Sequence, residues 1–585
     1  MRRPRSRPRP TLLRVLAPMV CAGAALVALT GCLSVPTSGP VRELSVQPTQ
    51  VSSEAIPYSP RAPQPGLTPG QVVRGFLDAM TASPLSTTVA RQYLSRSFAD
   101  SWDPDRRTIL YDNTRPPLGG SSIVVDITGA TWLDARGTWK GQLDKGRAAL
   151  RFSLVRESGQ WRISAAPNAL VVPATWYQSR FTQRFVYYLD PSDRVLVPEP
   201  VFVPTGTQLA TSLIRSLLLG PAAPARSVVH SFAPVGRRED ASISVEDGLA
   251  RISLAGSADY LTARTKRLLA AQLAWTLRQD RDVERMRLVI GGETVVFPGA
   301  GSTIPVSGSA RYSPNGAGAS DALYAVRTGV LERYADGAGF DVVSGRWASV
   351  HDLVTAAVDA HDRQVAAVTS DRRSVLVGPL SGSAKVTRLP LRGTDLLQPA
   401  WDLSGRLWLV DRTADGAVVS YVRDGRVHRV RIRGVTGANV RRFLVSRDGT
   451  RFVAVIRHEV GDRMVVSRIG ADSDGRVESA SPAVELAYPS SRRARLRDIG
   501  WRSPTTVYAV QWTSGTALVN VVSLDGATLD VSGDEFPVGS TPRALVSSPV
   551  DGTPLYARTG RKLSDLSGNA DLRLPSGVSS AFYAG

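Results

Sequence analysis

Val358-Asp359-Ala360-His361-Asp362-Arg363-Gln364-Val365-Ala366-Ala367-Val368 and Val445-Ser446-Arg447-Asp448-Gly449-Thr450-Arg451-Phe452-Val453-Ala454-Val455 align without a gap. Trp401-Asp402-Leu403-Ser404-Gly405-Arg406-Leu407-Trp408-Leu409-Val410 and Trp501-Arg502-Ser503-Pro504-Thr505-Thr506-Val507-Tyr508-Ala509-Val510 repeat the pattern one residue shorter. A weaker fifth copy runs from Val546-Ser547-Ser548-Pro549 to Leu555-Tyr556. The starts at 358, 401, 445, 501 and 546 lie 43, 44, 56 and 45 residues apart. Each copy is a strand end, a polar turn and a second apolar strand. A strand-only period of about 40–50 residues is the signature of a β-propeller. One four-stranded blade cannot bury both faces alone, so blades must stack in a ring. Residues 321–585 hold five or six degenerate blades, with Ala322–Tyr334 adding strands before the first clear copy. An irregular β-sandwich array is the other arrangement the copies permit.

Upstream of the repeats, residues 301–320 are rich in Gly and Ser and read as a linker. Residues 181–300 form an α+β unit. Strands are expected near Phe185 and Arg194, an amphipathic helix over Gln208–Leu219 ends at Gly220-Pro221, and Asp247-Gly248 marks a hairpin. A long helix is expected over Tyr260–Gln279, and a last hairpin turns about Gly291-Gly292. Residues 67–180 form a smaller α+β domain, with helices first and antiparallel strands after. Thr68-Pro69 and Gln71 are spaced for a capping box, and a second helix is expected over Val89–Phe98. Strands are expected over Thr108–Tyr111, Ile123–Leu133, Thr138–Leu143, Ala148–Glu157 and Gln160–Ala165.

The N-terminus sets the compartment. Six Arg precede Cys32 with no acidic residue, and Val15–Leu29 is an apolar run. Leu29-Thr30-Gly31-Cys32 then has the form of a lipoprotein signal, with cleavage between Gly31 and Cys32. Residues 1–31 are therefore expected to leave as a signal peptide. Cys32 would carry a diacylglycerol thioether and an N-acyl chain; no other cofactor and no metal are expected. An ordinary signal peptide or an anchor helix that happens to contain a Cys is the alternative. Residues 32–66, with seven prolines after Cys32, read as an extended tether. The expected location is the extracytoplasmic face of the cell membrane.

The chain has 585 residues and a formal charge of +20, which falls to +14 once residues 1–31 are removed. Of its two Cys, Cys21 leaves with the signal and Cys32 takes lipid, so the mature domains hold no disulfide. The positive charge suits anionic headgroups and acidic wall polymers, and equally a codon bias with no binding role. No nucleic-acid-binding motif accompanies it. Catalytic signatures are missing too. The five His (His230, His351, His361, His428, His458) lack paired spacing, and no nucleophile elbow, Walker loop or dinucleotide fingerprint occurs. The chain is read as a non-enzyme. Two basic runs are candidate partner-binding patches. Arg429, Arg431 and Arg433 alternate with Val430 and Ile432, and Arg492, Arg493, Arg495 and Arg497 cluster in an expected loop. Each reads equally as a solvated edge that blocks aggregation.

The order of these parts resembles the actinobacterial lipoprotein LpqB family. The likeness rests on Ala90-Arg91-Gln92-Tyr93-Leu94 with Phe98 and Trp102, on the GerMN-like stretches Ala210–Pro221 and Val245–Leu254, and on the propeller-like half. The resemblance implies a GerMN-like second domain and an accessory role beside the MtrA–MtrB two-component system. It implies contact with the extracytoplasmic part of the sensor kinase, tuned phosphorylation of the regulator, and a link to cell division and envelope homeostasis. A cell-wall or small-ligand-binding lipoprotein that uses the propeller channel is the alternative. The family supplies no catalytic residues, and only Cys32 is carried over at the level of a residue.

Overall fold

The computed structural model describes residues 58–234, 241–259, 261–335, 337–487, 495–513, 516–528, 535–538, 542–568 and 570–585. Gly31, Cys32 and most of the tether lie outside them. From Ala55 onward the chain is one compact unit.

In the first domain the capping box forms as its spacing predicts. Thr68 Oγ1 accepts from Gln71 N at 3.4 Å, and Gln71 Oε1 accepts from Thr68 N at 2.8 Å. The helix Pro69–Ala79 buries Val72, Val73, Phe76 and Leu77. Phe76 packs on Trp102 at 5.2 Å and on Phe152 at 6.2 Å between ring centroids. The helix expected over Val89–Phe98 is two short ones, Thr88–Arg91 and Arg96–Ala99. Strand pairing interrupts it: Ile163 N donates to Tyr93 O at 2.9 Å, and Ser95 N donates to Ile163 O at 2.8 Å. The strand expected over Ile123–Leu133 likewise divides into Ser122–Thr128 and Thr131–Asp134, which join different sheets. Gly129 makes the break. Its φ is +63°, which favours glycine, and a Cβ there would lie 1.9 Å from Asp112 Oδ2 and displace that carboxylate.

The second domain packs the helices Leu209–Leu218 and Ala263–Leu277 on a sheet of five strands. Asp247 and Gly248 both take positive φ, +48° and +74°, as a two-residue hairpin requires. The long helix begins later than its apolar spacing implies, because Thr262 caps it by accepting from Thr265 N at 3.2 Å. The Gly/Ser-rich segment that follows is held against this domain. Ile304 pairs with Met286, and Trp275 Nε1 donates to Ser309 O at 3.1 Å.

From Leu323 onward the described residues form six successive sheets, each one blade of a propeller. Blades two to five start with the inner strands Leu353–Val358, Ala400–Trp401, Val440–Val445 and Arg495–Ser503, and blade six with Ala544–Val546. Blade one is shared between distant parts of the chain. Its strands Leu323–Arg327, Val330–Ala335 and Gly339–Val342 are completed by Val578–Tyr583, which closes the ring. The repeat owes its recurrence to the turn after each inner strand. Asp359 Oδ1 accepts from Gln364 N at 2.9 Å, Asp402 Oδ1 from Arg406 N at 3.1 Å, and Ser446 Oγ from Arg451 N at 3.0 Å. In these three copies a side-chain oxygen at one position satisfies the turn backbone. In the other two the position is Arg502 and Ser547, and Ser503 and Ser548, one residue later, accept from Thr505 N and Val550 N.

The same turns face the second domain. Glu199 on the strand Leu196–Pro204 accepts a two-bond fork from Arg468, with both bonds at 2.7 Å, and a third bond from Arg451 at 3.0 Å. Arg451 also donates to Pro198 O and pairs with Asp448 Oδ2 at 3.0 Å. Its side chain is 1% exposed. Nearby, Arg447 donates to Asn315 O at 2.9 Å and Ala584 O at 2.6 Å, joining the linker to the end of the chain. Burial alone pulls its pKa down to about 10. One end of the propeller is thus closed by the second domain.

Candidate functional site

The opposite end is open. Each inner strand runs from this open face toward the turns described above. Three residues before each repeat start stand Thr355, Gln398, Arg442, Asp498 and Arg543; these and Ser580 of the closing strand line a central cavity of about 270 Å³. Three such residues, Gln398, Arg442 and Asp498, carry bonds between neighbouring blades. Gln398 donates to Ala356 O at 3.2 Å, and Asp498 takes Arg442 Nε at 2.9 Å with one oxygen and Leu545 N at 2.9 Å with the other.

Above the cavity the mouth widens into a cleft of about 800 Å³ lined by Arg441, Arg442, Arg457, Arg497 and Arg543, with Leu496, Pro542, Thr559 and Gly560. Five guanidiniums from three consecutive blades meet there. Two are tied to carboxylates: Arg442 to Asp498, and Arg457 to Asp462 at 3.0 Å. Burial alone would raise the Asp462 carboxyl. Its contacts with Arg457 and Arg495, and the bond it accepts from Leu496 N, instead hold it below the usual carboxylate range. Arg497 lies over the Trp512 ring at 5.8 Å. Arg441 and Arg543 have no ion pair among the described residues. Burial lowers the Arg441 pKa, and the neighbouring charges of Arg412, Arg457 and Arg442 lower it further. Arg558, between the mouth and the channel, is lowered by burial and then by Arg543. Positive charge is concentrated here beyond what the local carboxylates neutralise, in a concave surface with little apolar lining. Chemically it is an anion receptor.

The sequence-predicted residues are placed differently. Arg429, Arg431 and Arg433 are exposed while Val430 and Ile432 are buried, so the alternation holds. They lie along and just beyond Arg426–Val430, the outer edge strand of blade three, and they do not line the mouth. Arg492 and Arg493 fall outside the described residues, as do Gly31 and Cys32. Arg495 and Arg497, expected in a loop, stand on the strand Arg495–Ser503; Arg495 pairs with Asp462 at 3.1 Å. Asp359 and Asp448 serve turns, as expected. The mouth itself was missed, because its arginines are spread from 441 to 543. The available signal was the column three residues before each repeat start, where Arg442, Asp498 and Arg543 succeed one another. Among the described residues no helix is long and apolar enough to cross a membrane.

Three family descriptions match in succession. Residues 62–178 match "Lipoprotein LpqB, N-terminal domain", residues 185–296 match "Sporulation and spore germination", and residues 329–566 match "Lipoprotein LpqB beta-propeller domain". The chain is 27% identical to Lipoprotein LpqB of Cutibacterium acnes over 82% of this chain and 84% of that one. It is 27% identical to Lipoprotein LpqB of Mycolicibacterium smegmatis over 95% and 96% of the two chains. Among solved structures, the first GerMN domain of GerM from Bacillus subtilis is matched at 16% identity over 21% of this chain and 92% of that one, with a TM-score of 0.18.

Proposed function

The chain belongs to the lipoprotein LpqB family, and from that premise we propose a membrane-anchored, extracytoplasmic, non-enzymatic protein that docks on a sensor kinase of the MtrB type and tunes phosphorylation of its regulator. Acyl chains on Cys32 would confine it to the outer leaflet of the cytoplasmic membrane. The tether expected over 32–66 is shortened by the fold, because Tyr58 N donates to Ser83 O at 2.9 Å and Tyr93 Oη donates to Arg61 O at 2.9 Å. The stretch before Tyr58 would let the protein reach up to about 80 Å from the bilayer. Confinement raises its effective concentration beside a membrane kinase, so weak contacts suffice. To regulate, it must bind one signalling state of the kinase better than the other. The observation that best supports the reading is the locking of propeller and GerMN domain through Glu199, which makes the domains one platform with an open propeller face. Deleting the protein should change regulator phosphorylation at constant kinase abundance. Unchanged phosphorylation would contradict the reading.

The cleft at the channel mouth supports a second reading, in which the propeller binds a ligand and not a protein. Such a protein would be retained on purified wall material in a way that salt alone does not abolish.

A further inference from the structure

The mouth arginines constrain what that ligand would be. A single carboxylate in this protein engages one or two guanidiniums, as Asp498 does Arg442 and Asp462 does Arg457 and Arg495. Arg441, Arg497 and Arg543 come from three blades and border one cleft of about 800 Å³, and none has an ion pair among the described residues. A ligand that serves them together must bring several acceptor oxygens and more than one negative charge in a small volume. Among the described residues, Leu496 and Pro542 are the apolar side chains that line it. That lining gives a peptide no anchoring pocket and an acyl chain no bed. A neutral glycan would leave the mutual repulsion around Arg441 in place. Phosphate groups in close succession meet every condition, because each phosphodiester presents two charged oxygens, and each phosphomonoester three, to guanidinium forks.

We infer that the open mouth of the propeller is a binding site for a phosphate-bearing polyanion, held by Arg441, Arg497 and Arg543, with Arg442 and Arg457 oriented by Asp498 and Asp462. The inference deepens the ligand-binding reading above and does not depend on kinase docking. Phosphodiester wall polymers and phospholipid headgroups share this chemistry.

The test is calorimetric titration of the full-length protein, in nanodiscs of phosphatidylcholine, with inorganic tripolyphosphate. Citrate at matched ionic strength is the comparison. One saturable site per chain is expected, at least tenfold tighter for tripolyphosphate than for citrate. Arg441→Gln with Arg543→Gln should weaken it at least tenfold. Arg429→Gln with Arg431→Gln removes the same charge from the outer edge strand and should leave it within twofold. Arg441→Gln alone, checked for an unchanged melting midpoint, stands in should the double variant misfold. Repeating the titration in nanodiscs containing phosphatidylglycerol identifies the source. A tenfold apparent loss points to headgroups and no loss points to a soluble or polymeric phosphate; either supports the site. Equal weakening by both pairs of substitutions overturns the site and leaves ligand binding standing. No saturable binding, or citrate binding as tightly, overturns the phosphate assignment.

Discussion

Glu199→Gln isolates the charge that holds the propeller against the second domain. The substitution keeps the side chain's size and one acceptor oxygen, but it removes the negative charge shared by Arg468 and Arg451 and breaks the fork, because an amide NH2 then faces a guanidinium. The Glu199 and Arg468 side chains are only 14% and 15% exposed, so solvent does little to replace the lost pair. Breaking a buried pair from one side costs about 3–5 kcal/mol. Asp448 still neutralises Arg451 at 3.0 Å, which brings the expected loss to roughly 2–3 kcal/mol. A chain of several domains does not unfold in two states, so a global midpoint is a poor readout. Hydrogen exchange measured on peptides spanning 196–204 and 446–457 reports local opening directly. Exchange there should accelerate about 30–150-fold in Glu199→Gln and stay unchanged at the propeller mouth. Pairing the variant with Arg468→Met gives the cycle, in which a coupling of roughly 1–3 kcal/mol is expected. Exchange within threefold of the native rate, or strictly additive single effects, would refute the role assigned to Glu199.

Three further outcomes follow from the packing. Asp402→Ala strands Arg406, whose side chain is 2% exposed and would keep the carbonyls of Gly449 and Gly475 and the Trp408 ring but no anionic partner. About 3–5 kcal/mol should be lost, seen in scanning calorimetry as a propeller transition lowered by roughly 10 °C. Asp525 lies where the propeller meets the second domain, accepting from Ser523 Oγ and Ala527 N, and burial raises its pKa. A raised carboxyl makes the native state bind more protons, so its cost is present at neutral pH and disappears as pH falls to the unfolded value near 4. Asp525→Asn should therefore be at least as stable as the native chain at pH 7.5, with the difference shrinking as pH falls toward 4 in denaturant titrations. Truncation after residue 577 removes Val578–Tyr583 and opens blade one; limited proteolysis should then cut inside 323–342, which the closed ring protects.

Much of the architecture was legible because turn chemistry recurs with the blade. Asp359, Asp402 and Ser446 do one job at one register, and the polar turn set between two apolar strands makes those three copies easy to align. Blade number was ambiguous for a topological reason. Blade one joins Leu323–Arg327 to Val578–Tyr583, and no contiguous stretch carries its full signature. Local propensity failed where distant backbone intervened. Residues Tyr93–Ser95 have helical spacing, yet Ile163 draws them into a bridge. Gly129 read as part of a strand because its left-handed φ leaves no apolar trace. The edge arginines at 429–433 were conspicuous because they are adjacent in sequence. The mouth arginines were not, because ring closure, and not sequence, makes them neighbours.

Crosslinking in intact cells followed by capture of the lipoprotein tests the central claim most directly, with the native chain compared to Cys32→Ala. The account predicts recovery of a sensor kinase through its extracytoplasmic part with the native chain, and its loss or weakening when the anchor is removed. Recovery of wall material with no kinase, or equal kinase recovery from both chains, would contradict it.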